Sequence, residues 1–155
     1  MEPDNWIQIA PFGDWPHPGG TQRFTEKEAK EIVKDFNSLM NKMKRLVTEG
    51  IPFYIGFHDH PQFKDKYKDP TVYGYIVALQ IRTIITADHT DGLWGKVKWN
   101  PAGAELVNNE RFQGHAVNWL VKKGLTGFWY PFRIKSVGFT NEGVNIPVHR
   151  IERAS

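Results

Sequence analysis

The side chains best equipped for chemistry stand together in the stretch Ile51-Pro-Phe-Tyr-Ile-Gly-Phe-His-Asp-His-Pro, where two imidazoles flank one carboxylate at the end of an apolar run. Histidine titrates near neutrality, so it serves equally as a base for a hydroxyl and as a neutral metal ligand. Three readings of His58, Asp59 and His60 follow from these residue types. One histidine could act as base toward a nucleophilic hydroxyl while a third group orients its ring. The pair could instead hold a metal with help from His89, His115 or His149. Or the histidines are unconnected surface and core residues, since His-x-His alone is a weak signal. His17, set between two prolines, reads as a solvated loop residue.

The element that must position this tripeptide is a strand. Ile51, Phe53, Ile55 and Phe57 alternate with Pro52, Tyr54, Gly56 and His58, the two-residue period of a strand with one buried face, running over about 51–58 and ending near Pro61. On an extended backbone His58 and His60 project to one side and Asp59 to the other. The tripeptide then offers a metal at most two ligands, and neither a metal nor any other cofactor is expected.

Around this strand the chain reads as mixed α and β. Trp6 to Pro11 alternates as a short strand, and Phe12 to Gly20, crowded with Pro and Gly, reads as a loop. Thr25-Glu-Lys-Glu is a capping box, with the Thr25 hydroxyl accepting from the Glu28 amide and the Glu28 carboxylate reaching back. The stripe Ile32, Phe36, Leu39, Met40, Met43, Leu46, Val47 predicts a core-facing helix over 26–48 that stops at Gly50. Val72–Ile85, with Gly74 a bulge or close-approach point, and Leu93–Trp99 predict a hairpin. Asn100-Pro101 caps a short helix through about Asn109. Glu110–Gly127 is ambiguous, Phe132–Asn141 alternates again, and Val144–Ile151 reads as an edge segment. The expected fold is α+β: a closed antiparallel β-barrel-like sheet with one long and one short helix packed outside, the former by Ile32, Phe36, Leu39, Met43 and Leu46.

Length and composition agree. The 155 residues suit a single domain, and 40% hydrophobic with 24% charged content is that of a globular protein rather than a disordered one. The net charge is +3, but lysines alternate with acids (Lys27-Glu28, Lys30-Glu31, Lys34-Asp35) and support only weak attraction to polyanions. There is no cysteine, which excludes disulfides and a thiol nucleophile. No apolar run reaches membrane-spanning length, and Met1-Glu-Pro-Asp-Asn-Trp is no signal peptide.

Tyr54-Ile-Gly-Phe-His-Asp-His-Pro, Tyr73-Gly-Tyr-Ile, Asp91-Gly-Leu-Trp-Gly-Lys-Val-Lys-Trp-Asn-Pro-Ala-Gly, Tyr130-Pro-Phe and Ser136-Val-Gly-Phe-Thr-Asn-Glu-Gly-Val-Asn-Ile-Pro, taken in order, resemble the Mu-like prophage I proteins. These are phage capsid-assembly proteases with an attached scaffold, similar to prohead proteases and herpesvirus assemblins, and the likeness runs from about Trp6 to Pro147. It implies a serine-protease-fold domain over 1–155 that acts on scaffold and on itself in the assembling prohead, in the host cytoplasm. The implied partners are phage scaffold and major capsid protein, with a possible homo-oligomer, no nucleic acid and no membrane. The family's base matches His58 or His60. Its nucleophilic serine, in a Ser-Pro pair, matches Tyr130 of Tyr130-Pro131, and a phenol can neither reach nor attack as a serine does. The domain is then a retired protease kept as a structural module, or another hydroxyl such as Thr126 or Ser136 has taken over; Ser136 on its strand reads first as structural. Analogy with the assemblins implies His149 as a third triad member, and it reads equally as a surface residue on the last strand. A non-enzymatic capsid-associated module and a His-based metal-dependent hydrolase are the alternatives. The chain closes at Ile151-Glu-Arg-Ala-Ser without the scaffold tail usual in the family.

Overall fold

A computed structural model describes residues 6–17, 20–43, 50–56, 59, 65–83, 91–109, 111–112 and 114–141. Its elements are β1 (Trp6–Pro11), β2 (Gly13–His17), β3 (Gly20–Phe24), α1 (Glu26–Met43), β4 (Ile51–Ile55), β5 (Gly74–Arg82), β6 (Gly92–Trp99), α2 (Pro101–Asn108), β7 (Gly114–Lys123) and β8 (Trp129–Thr140). All strands join one sheet in the order β1-β6-β5-β4-β8-β3-β2, with β7 on the other side of β8. β7 returns toward β1, where the buried His115 Nε2 lies 2.6 Å from the Gln8 carbonyl oxygen. The sheet is thereby curled into a nearly closed barrel shape, its last seam bridged by a side chain rather than by a ladder.

The expected architecture holds in outline and needs four corrections. The sheet is not wholly antiparallel, because β8 runs parallel to β4 (Phe53↔Val137, Tyr54↔Gly138, Ile55↔Phe139) and to β3 (Gln22↔Trp129). The stretch read as a loop after Phe12 is a β2–β3 hairpin in which even Pro16 pairs, with Thr21. β2 ends the strand order, and an edge strand tolerates proline because one side of its backbone has no ladder to serve. The ambiguous stretch becomes β7, joined to β8 through the five residues 124–128. The Gly127 N–H donates to the Gly124 carbonyl (3.2 Å), Gly124 N–H to the Phe128 carbonyl (2.8 Å), and Gly127 takes the positive φ of 87° that closes such a loop. Finally, β4 stops at Ile55, short of the histidines, so strand alternation no longer sets where Asp59 points.

The helices form where their signals stand. The Glu28 carboxylate accepts from the Thr25 N–H (2.9 Å) and from the Thr25 hydroxyl (2.7 Å), so the hydroxyl donates where it was expected to accept. α1 packs on β8 and β5, burying Ile32 and Phe36, while Leu39 stands beside Ile51, Leu79 and Ile134. The Met40 and Met43 side chains, Leu46 and Val47 lie outside the described residues. The Asn100 side chain accepts from Gly103 N–H (2.8 Å) and donates to the Val72 carbonyl (2.6 Å), capping α2 and tying it to the start of β5. One apolar cluster draws on every element except β2, and within it Phe53 meets Phe139 tilted and Trp99 edge-on, while Trp99, packed against the cluster, stacks on Phe139. Among the described residues no helix is long and apolar enough to cross a membrane.

Candidate functional site

Phe53 and Val137 are paired core residues of β4 and β8, so their neighbours Tyr54, Ser136 and Gly138 occupy the opposite, outward side of the same two strands. The chain leaves β4 through Gly56, whose φ of 66° turns it out of the strand. Gly56 N–H donates to the Phe139 carbonyl (2.8 Å), so the exit stays pressed against β8. Asp59 lies in a turn just beyond, over the outer face. Its Oδ1 accepts from the Ser136 hydroxyl at 2.7 Å and from the Asn118 amide at 3.0 Å. Asn118 and Ser136 face each other directly across the β7–β8 ladder, both buried, with Ser136 at 0% exposure.

The segment returns to the barrel through its own anchors. Asp69 accepts from the Tyr73 hydroxyl (2.6 Å) and the Thr71 N–H (3.0 Å), and Tyr73 N–H donates to the Phe53 carbonyl (2.8 Å). Burial, and after it the hydrogen bond to Asp69, pushes the Tyr73 phenol above its ordinary range. Tyr54 is also pushed up, chiefly by burial and then by the negative charge of Asp59.

The residues singled out in the sequence separate into distinct places. Ser136 is brought to Asp59, the residue between His58 and His60. Tyr130 is half-buried on β8 opposite Lys122, its ring against Gly124 and edge-on to Phe128 at 6.5 Å. Six positions of strand separate it from Ser136, or about 20 Å of β8. Thr126 is exposed in the β7–β8 turn. His115 points into the core, 6.1 Å from the Phe53 ring, and its Nε2 carries the proton because the Gln8 carbonyl can only accept. His58, His60, His89, His149, the His17 side chain and the edge segment 144–151 lie outside the described residues. Among the described residues no three His, Cys, Asp or Glu converge as a metal would require.

Asn118 was not anticipated from sequence. It sits in the stretch that showed no period, and two irregularities in the β7–β8 ladder, at Asn118/Trp119 and Leu120/Val121, defeat counting pairs back from the turn. Chemically, the cluster is a carboxylate holding a serine hydroxyl by its proton. In hydroxyl-based peptide cleavage the proton of the nucleophile is taken by an imidazole that a carboxylate orients, so nucleophilic use of Ser136 calls for a histidine. Comparison with protein-family models, with curated proteins and with solved structures finds no match.

Proposed function

We propose that this chain is a phage capsid-assembly protein of the prohead-protease type, and that Ser136, rather than residue 130, is the hydroxyl its histidine segment serves. The observation that carries this is the 2.7 Å contact between Ser136 Oγ and Asp59, the residue flanked by His58 and His60. Asp59, the described residue of the segment whose resemblance supplies the base, lies beside Ser136, while Tyr130 stands about 20 Å away along the strand. In the reaction, Ser136 Oγ attacks the scissile carbonyl carbon and its proton passes to His58 or His60. That histidine returns the proton to the leaving amine, and water then cleaves the acyl ester. Scaffold chains and the protein itself are the substrates in this reading.

A second reading rests on the burial of the same residue. Ser136 has 0% exposure and gives its proton to a carboxylate, an arrangement that serves structure rather than attack. The protein is then a non-cleaving module of the assembling shell.

A fluorophosphonate probe separates the two. The first reading expects the probe on Ser136, located by peptide mass spectrometry, lost in Ser136→Ala and strongly slowed in His58→Ala or His60→Ala, with Tyr130→Phe unaffected. Absence of labelling, with no self-cleavage in the presence of scaffold chains, sinks the protease and leaves the structural module.

A further inference from the structure

The positive charges that look scattered along the sequence are gathered by the β1–β6–β5 ladder. Leu93, Val97 and Trp99 belong to the core or pack on it, so Trp94, Lys96 and Lys98 share the other face of β6, where the two lysines are exposed and Trp94 is buried. Register places Trp6 and Ala78 beside Lys96, Gln8 and Gln80 beside Trp94, Tyr75 beside Lys98, and Arg82 beside Gly92 on that same face. Among the described residues these three strands put no aspartate or glutamate on it. The Arg82 guanidinium lies 4.5 Å from the Trp6 ring centroid and 5.2 Å from that of Trp94, with its Nε donating to Gln80 Oε1 at 2.7 Å. Lys96 and Lys98 are exposed, and among the described residues none of the three cations has a carboxylate partner.

Among the described residues this is an acid-free sheet face that carries three cations and two half-buried aromatic rings, Trp6 beside Lys96 and Tyr75 beside Lys98. We propose that it binds single-stranded nucleic acid, with phosphates on Lys96, Lys98 and Arg82 and bases against Trp6 and Tyr75. Cations alone would suit any polyanion; the interleaved rings favour a ligand that carries its own stacking faces. The stack of Arg82 on two indoles holds the guanidinium with no carboxylate partner among the described residues, which leaves its charge for a phosphate.

Fluorescence anisotropy with a labelled oligo-dT of about 20 nucleotides tests this. Binding is expected at about 50 mM salt, weakening toward 200 mM with a log–log slope of about −2, the value for three phosphates neutralised on a single strand. Lys96→Glu/Lys98→Glu, at exposed positions where an unchanged melting temperature shows the fold intact, should weaken binding at least about tenfold. Arg82→Gln should lower the slope by roughly one phosphate's share. No binding at the lower salt overturns the proposal. So does unchanged affinity in the double variant, tighter binding of a duplex of equal length, or displacement of the oligonucleotide by polyglutamate as effective as that by unlabelled oligo-dT.

Discussion

Gly56 and Gly138 meet backbone to backbone: a methyl group on Gly138 would run into the Gly56 carbonyl. The outer face of β8 is thus shaped by an absence of side chain, and the segment carrying Asp59 passes over Ser136 because of it. Gly138→Ala should destabilise by about 1–3 kcal/mol or more, since backbone cannot yield as a side-chain tip can. Urea unfolding monitored by tryptophan fluorescence checks this, and a stability within error of wild type would show that the crossing has room to spare.

Asp59 satisfies two buried donors, and the cost of losing each partner is unequal. Ser136→Ala and Asn118→Ala each remove one bond and should cost about 1–2 kcal/mol, whereas Asp59→Ala orphans both donors and should cost about 2–4 kcal/mol. A double-mutant cycle between Asp59 and Ser136 should give a coupling of about 1 kcal/mol or more. Additive costs would mean that the 2.7 Å contact contributes nothing to stability.

α1 is held to the barrel by two kinds of contact with different salt dependence. Ile32, buried to 1% exposure, should cost about 2–4 kcal/mol on replacement by alanine, independent of ionic strength. Arg133 forms a two-pronged pair with Asp35 (2.8 and 3.0 Å) at an accessible surface. Arg133→Gln should therefore cost under about 1 kcal/mol, and that difference should shrink in high salt. Thermal unfolding of both variants at two salt concentrations separates the contributions.

Tyr54 and Tyr73 predict the alkaline limit of stability. Both phenols are raised above the ordinary value of about 10, so the folded chain holds these protons more tightly than the unfolded one. The stability this contributes is fully present below about pH 10 and is lost as pH rises through the folded-state values. Tyr54→Phe and Tyr73→Phe should each flatten the fall of stability above about pH 10, read from denaturant midpoints across that range.

The parts of this fold legible in the sequence are those whose signals are local. Thr25 and Glu28 announce α1, Asn100-Pro101 announces α2, and the alternation around Gly92–Trp99 finds β6, because each depends on residues a few positions apart. β2 was hidden by Pro16, whose tolerance depends on β2 being an edge, a property of the whole sheet. β7 was hidden because its buried run from Gly114 to Trp119 has no alternation and its turn signal, Gly127 after Leu125-Thr126, is short. The candidate site was half legible. Asp59 and Ser136 each stand in a motif the sequence singled out, but their contact spans the parallel pairing of β4 with β8, which no local pattern encodes.

That parallel pairing also dictates the order in which the molecule can be completed. β3 and β4 are made early, yet each waits for β8, the last described strand, to supply its parallel neighbour. A nascent chain that has not yet reached β8 leaves the aromatic core around Phe24 and Phe53 without the strand that bears Phe139, and so cannot settle before β8 is made. Contacts so distant in sequence carry a large loop-closure cost before they return any stabilisation, which sets folding in the slow regime of non-local β topologies. Truncation anywhere before Thr140 should therefore yield an aggregating chain rather than a smaller domain, and the emergence of β8 from the ribosome is the event that permits the barrel to form.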